Sequence, residues 1–274
     1  MSDPRLRPVN TRVAAEWVSD APPDVRLAKG EPLQVSVPVL DLLRSPDGPR
    51  DRQLILGETL RRFETHNGWD FVQSDKDGYV GYIKSGSLGP SANASHWVSV
   101  AATHVYEQPN LKSRDRLALS FGSRLAGIAK RDQFLETAIG FVPLAHISTV
   151  DEFKTDPVAV AALFLGTPYL WGGNSRFGID CSGLVQAALI ATGRSCPGDS
   201  DLQEQEVGHT LPAGTNPERG DLLFWSGHVA WVSGPDQVLH ANAHHMAVQY
   251  EPLSEAVARI EAQGDGPVSS HKRL

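Results

Sequence analysis

The chain has 274 residues, of which 41% are hydrophobic and 21% charged, and its net charge is −7. This length suffices for one large domain or two to three small ones, and the composition is that of a soluble globular protein. The acidic balance argues against nucleic acid or an anionic membrane as the partner, because both select basic surfaces. No apolar stretch approaches the length of a membrane-spanning helix. The N-terminus carries charges and prolines where a signal peptide needs an apolar run, so we expect a cytoplasmic protein.

Residues 25–150 are predicted to be rich in β-structure. Short apolar runs alternate with turn residues such as Asn67-Gly68 and Asp77-Gly78, a pattern typical of small barrels or sandwiches. Residues 88–95 are rich in breakers and indicate a linker. We therefore expect an N-terminal extension (1–24) followed by two small all-β barrels (25–90 and 91–150). The predicted strands lie at 33–39, 53–56, 69–73, 79–83, 97–105, 117–121 and 124–128.

Residues 151–274 are predicted to combine helices with an antiparallel sheet. Apolar residues at helical spacing indicate helices at 157–165 and 181–192. Asp180 stands at the N-cap position of the second helix, and Gly193 stands just past its end. A helical half followed by an antiparallel half predicts an α+β domain. The four strand-like runs of the second half lie at 221–225, 228–232, 237–242 and 246–250.

Cys181 is predicted to be a nucleophile because it opens the second helix. The free amides and the positive end of the dipole at a helix N-terminus stabilise a thiolate, which is the form that attacks carbonyl carbon. We therefore expect a depressed pKa for this thiol. The alternative is a small buried cysteine that packs under the helix, the commoner fate of cysteine. Cys196, the other of the two cysteines, precedes a proline and is interpreted as structural.

A nucleophilic cysteine needs a general base, and the base needs a group that orients it. Two predicted neighbouring strands supply His228 and His240. A hairpin register that pairs Trp231 with Gln237 places the two histidines opposite each other, close enough for a bridge between the imidazoles. A metal site built from Cys181 and these histidines lacks the paired-ligand spacing of zinc sites, so we expect neither metal nor cofactor.

Five short motifs in the C-terminal half, in the order PYLWGG, DCSGLV, RGDLLFW, GHVAWV and VLHANA, resemble the NlpC-type bacterial cell-wall cysteine peptidases. The resemblance covers about residues 151–255 and implies a papain-like catalytic domain, a helical half plus an antiparallel sheet. It implies Cys181 as nucleophile, His228 as base and His240 as the third polar residue. It also implies that the hydroxyl of Tyr169 lies beside the thiol and helps to stabilise the oxyanion. Two further residues of these motifs, Ser182 and Trp171, are assigned to substrate binding.

The N-terminal half resembles the bacterial Src-homology-3-like barrels of a dipeptidyl-peptidase VI-like subgroup, on residues 55–58, 68–69 and 77–83. In that subgroup the first barrel closes one end of the cleft, and a glutamate and a tyrosine of the barrel, with a catalytic-domain aspartate, hold the free amine of the substrate. The matching positions are Glu58, Tyr79 and Asp199, with Tyr82 and Asp201 as alternatives. The family's aspartate usually follows an arginine, whereas a glycine precedes Asp199 here.

The resemblance implies hydrolysis of the bond between γ-D-glutamate and a diamino acid in peptidoglycan stem peptides with a free N-terminal L-alanine, during murein recycling. The expected partner is a small muropeptide, and the sequence does not define the oligomeric state. Two alternatives stay open on the same fold, an N-acetylmuramoyl-L-alanine amidase or acyltransferase and a cell-wall-binding protein with an inert catalytic domain. The intact Cys181, His228 and His240 argue against the second alternative.

Overall fold

A computed structural model describes residues 3–274. The chain divides after Val150 into two compact units, each described by itself. Among the described residues, no helix combines the length and the apolar character that crossing a bilayer requires. Short 3-10 helices lie at Pro4–Leu6 and Leu144–His146, and a π-helical turn lies at Glu261–Asp265.

Residues 3–90 form a small parallel pair and one antiparallel sheet. The strands are β1 (Val13–Ala15), β2 (Arg26–Ala28), β3 (Glu31–Val35), β4 (Val39–Leu43), β5 (Arg50–Ile55), β6 (Thr59–His66), β7 (Trp69–Ser74), β8 (Val80–Lys84) and β9 (Leu88–Pro90). β1 pairs with β2, and the remaining seven follow the order β5-β4-β8-β7-β6-β3-β9. Val13 and Ala15 are buried against Phe63 and Phe71, so the predicted N-terminal extension contributes to the core of this unit.

Two departures from the predicted strands have local causes. β6 was not predicted because charged residues interrupt its apolar pattern, and a register shift between Arg62 and Glu64 breaks the period-2 alternation. β9 lies inside the predicted linker 88–95, where Leu88 pairs with Val35 of β3. A strand of three residues at a sheet edge tolerates the glycine and proline that indicated a linker.

Residues 91–150 contribute a second set of short strands. They are β10 (His96–Val98), β11 (Ala102–Tyr106), β12 (Asp115–Ser120), β13 (Arg124–Leu125), β14 (Gly127–Arg131), β15 (Phe134–Thr137), β16 (Gly140–Pro143) and β17 (Ile147–Thr149). The sheet orders are β12-β11-β16-β15-β14 and β13-β10-β17. Within residues 3–150, pairing does not close any of these sheets on itself, so the predicted barrels are open sheets. The division of this unit after residue 90 stays a prediction.

Residues 151–274 form the predicted α+β arrangement, which confirms the fold class. The helices are α1 (Pro157–Ala162), α2 (Cys181–Ala191), α3 (Ser200–Glu206) and α4 (Leu253–Ile260). The strands are β18 (Asn174–Ser175), β19 (Gly178–Ile179), β20 (His209–Thr210), β21 (Leu222–Trp225), β22 (His228–Gly234), β23 (Gln237–Asn242), β24 (Ala247–Pro252) and β25 (Ser270–Arg273). Six of them form one antiparallel sheet in the order β20-β25-β21-β22-β23-β24, on which α2 and α4 pack.

The ends of α2 follow its sequence signals. The Asp180 carboxylate caps the helix by accepting from the Gly183 amide at 2.6 Å, and Gly193 adopts φ +80° just past the end. α1 ends at Ala162, earlier than predicted, and the chain reaches Gly166 through turns. α3, α4, β20 and β25 were not predicted. Two of them, α3 and β25, are polar and carry little apolar periodicity.

Candidate active site

The thiol of Cys181 lies at the N-terminus of α2, where two hydrogen bonds of Asp180 hold the surrounding backbone. One carboxylate oxygen of Asp180 accepts from the Gly183 amide inside the helix, and the other accepts from the Gly172 amide at 2.9 Å. The loop that contains Gly172 is thereby anchored to the start of the helix. Cys181 is buried, with 7% of the residue exposed.

The sulfur also contacts the backbone at the start of β22. Cys181 Sγ lies 4.0 Å from the carbonyl oxygen of Gly227, and the amide of Val229 donates toward it. These two residues flank His228 in sequence. The first residues of β22 therefore bring the base and the nucleophile into one neighbourhood.

The expected depression of the Cys181 pKa is wrong for this structure. Burial raises the pKa of the thiol to about 12, and the negative charge of Asp180 adds to the effect. The amides of Val229, Ser182 and Cys181 itself favour the thiolate, but they do not compensate for the loss of hydration. The sequence indicated the helix N-terminus but could not indicate how completely the sulfur would be buried from water.

A chain of hydrogen bonds runs from His228 into the protein interior. His228 Nε2 lies 2.9 Å from His240 Nδ1, and His240 Nε2 lies 2.9 Å from Glu251 Oε2. Arg259 donates to both oxygens of Glu251, at 2.9 and 2.7 Å. His240 is completely buried and Glu251 is 6% exposed. The two imidazoles are thus connected to a buried carboxylate that an arginine neutralises.

These contacts determine which nitrogen of each ring carries the proton. The Glu251 carboxylate only accepts, so His240 Nε2 carries hydrogen and His240 Nδ1 accepts. His228 Nε2 must then be the donor to His240, which leaves the lone pair on His228 Nδ1. Burial, with the neighbouring His240, lowers the pKa of His228 to about 3, so the ring is a neutral base.

The predicted strand register was wrong, although the imidazole bridge is present. β22 pairs Trp231 with Leu239 instead of Gln237, and a register shift follows Val232 near the turn. Extending this register places Ala230 opposite His240 and leaves His228 one diagonal away. The hairpin closes between Gly234 and Gln237, a tighter turn than predicted, and the register shift moves the pairing back by only one residue. An offset of two residues remains, which a ring as long as imidazole spans.

Tyr169 lies in the loop before α2, near enough to Cys181 and Asp180 for their charges to act on its phenol. Its amide donates to the carbonyl of Met246 at 2.9 Å, and its backbone bridges Ile179 just before the helix. Burial raises the pKa of the phenol, and the proximity of Cys181 and Asp180 raises it further. The hydroxyl therefore stays protonated and able to donate. Its role at an oxyanion stays a prediction.

The other residues assigned to substrate binding have different environments. Ser182 is buried and its hydroxyl donates to Asp180 at 3.2 Å, whereas Trp171 is 64% exposed. Asp199 is partly buried at the N-cap of α3, and Asp201 is exposed in its first turn. A side chain that the sequence did not single out, Gln203, donates to the carbonyls of Ser182 and Pro197, at 2.9 Å each. Gln203 therefore holds the start of α3 and its preceding loop against the first turn of α2.

Glu58, Tyr79 and Tyr82 lie in the first unit. Glu58 is 7% exposed, in the turn between β5 and β6, and forms an ion pair with Lys76 at 2.7 Å. Tyr79 is 1% exposed, and the Arg52 guanidinium lies 5.1 Å from the centre of its ring. Tyr82 is partly buried, with its ring 5.1 Å from that of Phe71. Assignment of these residues to a substrate amine stays a prediction.

Cys196 and the adjacent histidines His244 and His245 take no part in the hydrogen bonds described above. Cys196 is 2% exposed and its sulfur approaches the Pro197 carbonyl at 3.4 Å. His244 and His245 are exposed, and His245 contacts Asn242. Among residues 3–274, no three side chains of the metal-binding types are grouped as ligands.

Sequence reasoning missed Glu251 and Arg259. Glu251 lies one residue past the predicted strand 246–250, and the strand continues through it to Pro252. Arg259 lies on α4, which was not predicted. An acidic residue that ends the strand next to the His240 strand was a signal that could have indicated the contact. The approach of Arg259 depends on how α4 folds back and could not have been inferred.

The chain is similar to several known proteins in sequence and in fold. Residues 166–262 match the NlpC/P60 family, and residues 42–88 match the bacterial dipeptidyl-peptidase Sh3 domain. The chain is 29% identical over 235 residues to a gamma-D-glutamyl-L-lysine dipeptidyl-peptidase of Bacillus subtilis, covering 76% of this chain and 78% of that protein. It is 28% identical over 219 residues to dipeptidyl-peptidase 6 of Lysinibacillus sphaericus, covering 70% and 79%. An NlpC/P60 family protein from Bacillus cereus has the same fold, with a TM-score of 0.75 at 18% identity over 89% of this chain and 99% of that one.

Proposed function

The chain carries an NlpC/P60 domain behind a bacterial dipeptidyl-peptidase Sh3 domain, and we propose that it is a cysteine peptidase that cleaves peptidoglycan stem peptides. The proposed scissile bond joins γ-D-glutamate to a diamino acid such as meso-diaminopimelate, in peptides with a free N-terminal L-alanine. The released product is L-Ala-γ-D-Glu. The observation that carries the proposal is Cys181 at the start of α2, whose sulfur contacts Gly227, the residue before His228, which is hydrogen-bonded to His240. The names of the Bacillus and Lysinibacillus relatives support the choice of bond.

In the first half-reaction, Cys181 Sγ attacks the carbonyl carbon of the γ-glutamyl bond while its proton passes to His228 Nδ1. Because thiol and imidazole are both neutral at rest, the proton moves as the C–S bond forms. The amide of Cys181, at the helix N-terminus, and the protonated hydroxyl of Tyr169 donate to the oxyanion. Collapse breaks the C–N bond, and His228 gives its proton to the leaving amine.

The second half-reaction releases the dipeptide. Water attacks the thioester carbonyl while His228 Nδ1 removes a proton from the water. The C–S bond breaks, the product leaves with a new carboxyl group, and the sulfur regains its proton from His228. His240 keeps its hydrogen bond to His228 Nε2 throughout, so the imidazolium formed in each half-reaction faces an acceptor.

We assign recognition of the free amine to Glu58, Tyr79 and Asp199, following the sequence resemblance. A desolvated ammonium requires opposite charge and hydrogen bonds. An acetylated or sugar-linked peptide has no ammonium, so it would leave these carboxylates unpaired and would be rejected. A peptidase with this requirement suits recycled stem peptides in the cytoplasm, because stems in the intact wall are linked to sugar. Glu58 already pairs with Lys76, so a substrate ammonium would share or displace that partner.

The test is mass spectrometry of L-Ala-γ-D-Glu-diaminopimelate after incubation with the protein. We expect L-Ala-γ-D-Glu and free diaminopimelate, and a much lower kcat/KM for the N-acetylated tripeptide. A muramoyl-tripeptide distinguishes the amidase alternative, since release of the intact tripeptide from the sugar would contradict the proposed bond. Binding of peptidoglycan without any hydrolysis would contradict the enzyme itself.

A further inference from the structure

Glu251 and Arg259 form a buried ion pair at the end of the imidazole chain, and the reaction described above gives them no chemical step. We propose that Glu251, held in place by Arg259, is a positioning residue that sets the tautomers of His240 and His228 and the pH range in which the pair acts as base and acid. This inference rests on the proposed function for its kinetic consequences, but its structural consequence can be measured without substrate.

The geometry leaves Glu251 little freedom. It lies on β24, next to the strand of His240, and its two oxygens accept from the Nε and Nη2 atoms of Arg259 at 2.9 and 2.7 Å. One of those oxygens also faces His240 Nε2 at 2.9 Å. Arg259 is oriented in turn by Gln263, which accepts from its Nη1 atom at 2.8 Å. A carboxylate held by a two-point contact cannot turn away from the imidazole.

The carboxylate is ionised in this position. Burial raises its pKa, but the hydrogen bonds from Arg259 and His240 outweigh burial and hold the pKa of Glu251 well below that of an ordinary glutamate. An ionised carboxylate has no hydrogen to donate. His240 Nε2 must therefore be the protonated nitrogen, and the alternation of donors along the chain ends with the lone pair of His228 on the nitrogen away from His240.

Without Glu251, the protonated nitrogen of His240 is no longer determined. If His240 carried its hydrogen on Nδ1, it would face the hydrogen of His228 Nε2, and His228 would respond by moving its hydrogen to Nδ1. That nitrogen could not then take the proton of Cys181. An inverted tautomer of this kind disables an otherwise intact catalytic geometry.

Charges near the imidazoles come from several elements. His240 faces His228 on β22, Glu251 on β24, Arg259 on α4 and His245 in the turn after β23, while the sulfur of Cys181 on α2 contacts Gly227, the residue before His228. Glu251 favours protonated imidazole and Arg259 opposes it. Removing Glu251 therefore lowers the pKa of the imidazole, and removing Arg259 raises it.

The same sheet contains a matched control. Asp221 is 1% exposed, faces His271 Nε2 at 2.7 Å and accepts two hydrogen bonds from Arg273, at 2.7 and 2.9 Å. This is also a buried carboxylate between a histidine and an arginine, and none of its hydrogen bonds reaches His228 or His240. Asp221→Asn thus reproduces the structural cost of neutralising such a carboxylate without touching the imidazole chain.

The kinetic experiment measures kcat and KM against pH for the full-length protein and the variants Glu251→Gln, Arg259→Gln and Asp221→Asn, with the free tripeptide as substrate. For Glu251→Gln we expect kcat to fall by roughly 10²-fold, the size of a positioned acid–base contribution, with little change in KM. Both limbs of kcat/KM should move to lower pH in Glu251→Gln and to higher pH in Arg259→Gln. Asp221→Asn should leave both limbs where they are in the wild type.

A second measurement does not depend on the substrate. In ¹⁵N-histidine NMR spectra of the full-length protein, assigned with His228→Gln and His240→Gln, the wild type should show hydrogen on Nε2 of both rings, and Glu251→Gln should show a mixture of tautomers. Unchanged tautomers in Glu251→Gln, or equal kcat losses without limb shifts in Glu251→Gln and Asp221→Asn, would overturn the inference. If the tripeptide is not cleaved while the tautomers respond as expected, the substrate assignment fails and the positioning role stands.

Discussion

Forming a thiolate costs more free energy at the buried Cys181 than at an exposed cysteine, because burial removes the water that would solvate the charge. Loss of hydration disfavours both charges of a thiolate–imidazolium pair, so the pKa of Cys181 rises and that of His228 falls. Before substrate binds, Cys181 and His228 are therefore both uncharged. Its chemistry depends on a single proton transfer inside a dry site, where the His240–Glu251–Arg259 chain stabilises the imidazolium that forms.

Substitution of the two cysteines should separate chemistry from packing. Cys181→Ala removes the sulfur that attacks the substrate, so hydrolysis of the tripeptide should fall to background while the circular dichroism spectrum stays that of the wild type. Cys196→Ser is the matched control, because a serine hydroxyl can donate to the Pro197 carbonyl that the thiol approaches. A comparable loss of activity in Cys196→Ser would mean that the two thiols have been assigned the wrong way round.

The neutral state of His228 should appear in the acid stability of the protein. Its pKa is about 3 when folded and 6.5 in the unfolded reference, so the unfolded chain binds one more proton between those values. The neutral His228 therefore costs no stability above pH 6.5, and the free energy of unfolding falls as the pH drops from 6.5 towards 3. His228→Gln should reduce the drop in unfolding free energy between pH 7 and pH 5 by up to about 2 kcal/mol, an upper bound because the ring is only partly buried.

Urea unfolding at several pH values measures this difference. Parallel pH dependence of stability in the wild type and His228→Gln would contradict the depressed pKa. It would indicate instead that His228 is protonated in the folded protein near neutral pH, as in a resting ion pair with Cys181.

Among the secondary-structure elements, α2 and the loop before it decide where the nucleophile lies. The first turn of the helix approaches that loop so closely that a Cβ atom on Gly183 would lie 2.5 Å from the carbonyl oxygen of Gly173. The carbonyl oxygen belongs to the backbone, and the position of a Cβ atom is fixed by its own backbone, so neither can rotate away. The glycine in the DCSG motif thus has a packing reason that is independent of the reaction.

Gly183→Ala should therefore behave against helix propensity. In an unobstructed helix the substitution stabilises by about 0.5–1 kcal/mol, whereas here we expect a loss of about 1–3 kcal/mol from overpacking. The loop that carries Tyr169 would move away from Cys181, so kcat should fall as well. Thermal unfolding and kinetics on one preparation measure both effects, and a rise in melting temperature with unchanged kcat would contradict the close packing.

On the scale of the whole molecule, the residues proposed for chemistry belong to residues 151–274 and two of those proposed for the substrate amine belong to residues 3–150. Glu58 allows the role of the first unit to be tested, because its ion pair with Lys76 provides a control. Glu58→Gln removes the carboxylate charge, and Lys76→Met removes the cation and leaves that carboxylate for another partner. Both variants break the same ion pair.

If Glu58 binds the substrate ammonium, Glu58→Gln should lower kcat/KM for the free tripeptide by a factor equivalent to about 1.5–3 kcal/mol. Lys76→Met should preserve the preference for the free over the N-acetylated peptide. Equal melting-temperature losses in the two variants, with no change in that preference, would show that the ion pair serves the fold of the first unit alone.

Local signals along the chain were sufficient for the α+β class, the cap and end of α2, and the position of Cys181 at its start, because capping and apolar periodicity involve residues close in sequence. Motif order was sufficient to bring Cys181, His228 and His240 into one hypothesis. Three features required the tertiary structure. The hairpin offset depends on how tightly the turn at Gly234 and Gln237 closes, the raised thiol pKa depends on burial by distant segments, and Arg259 reaches Glu251 only because α4 packs back on the sheet. Burial and long-range contacts are properties of the packed molecule, and no local pattern of residues encodes them.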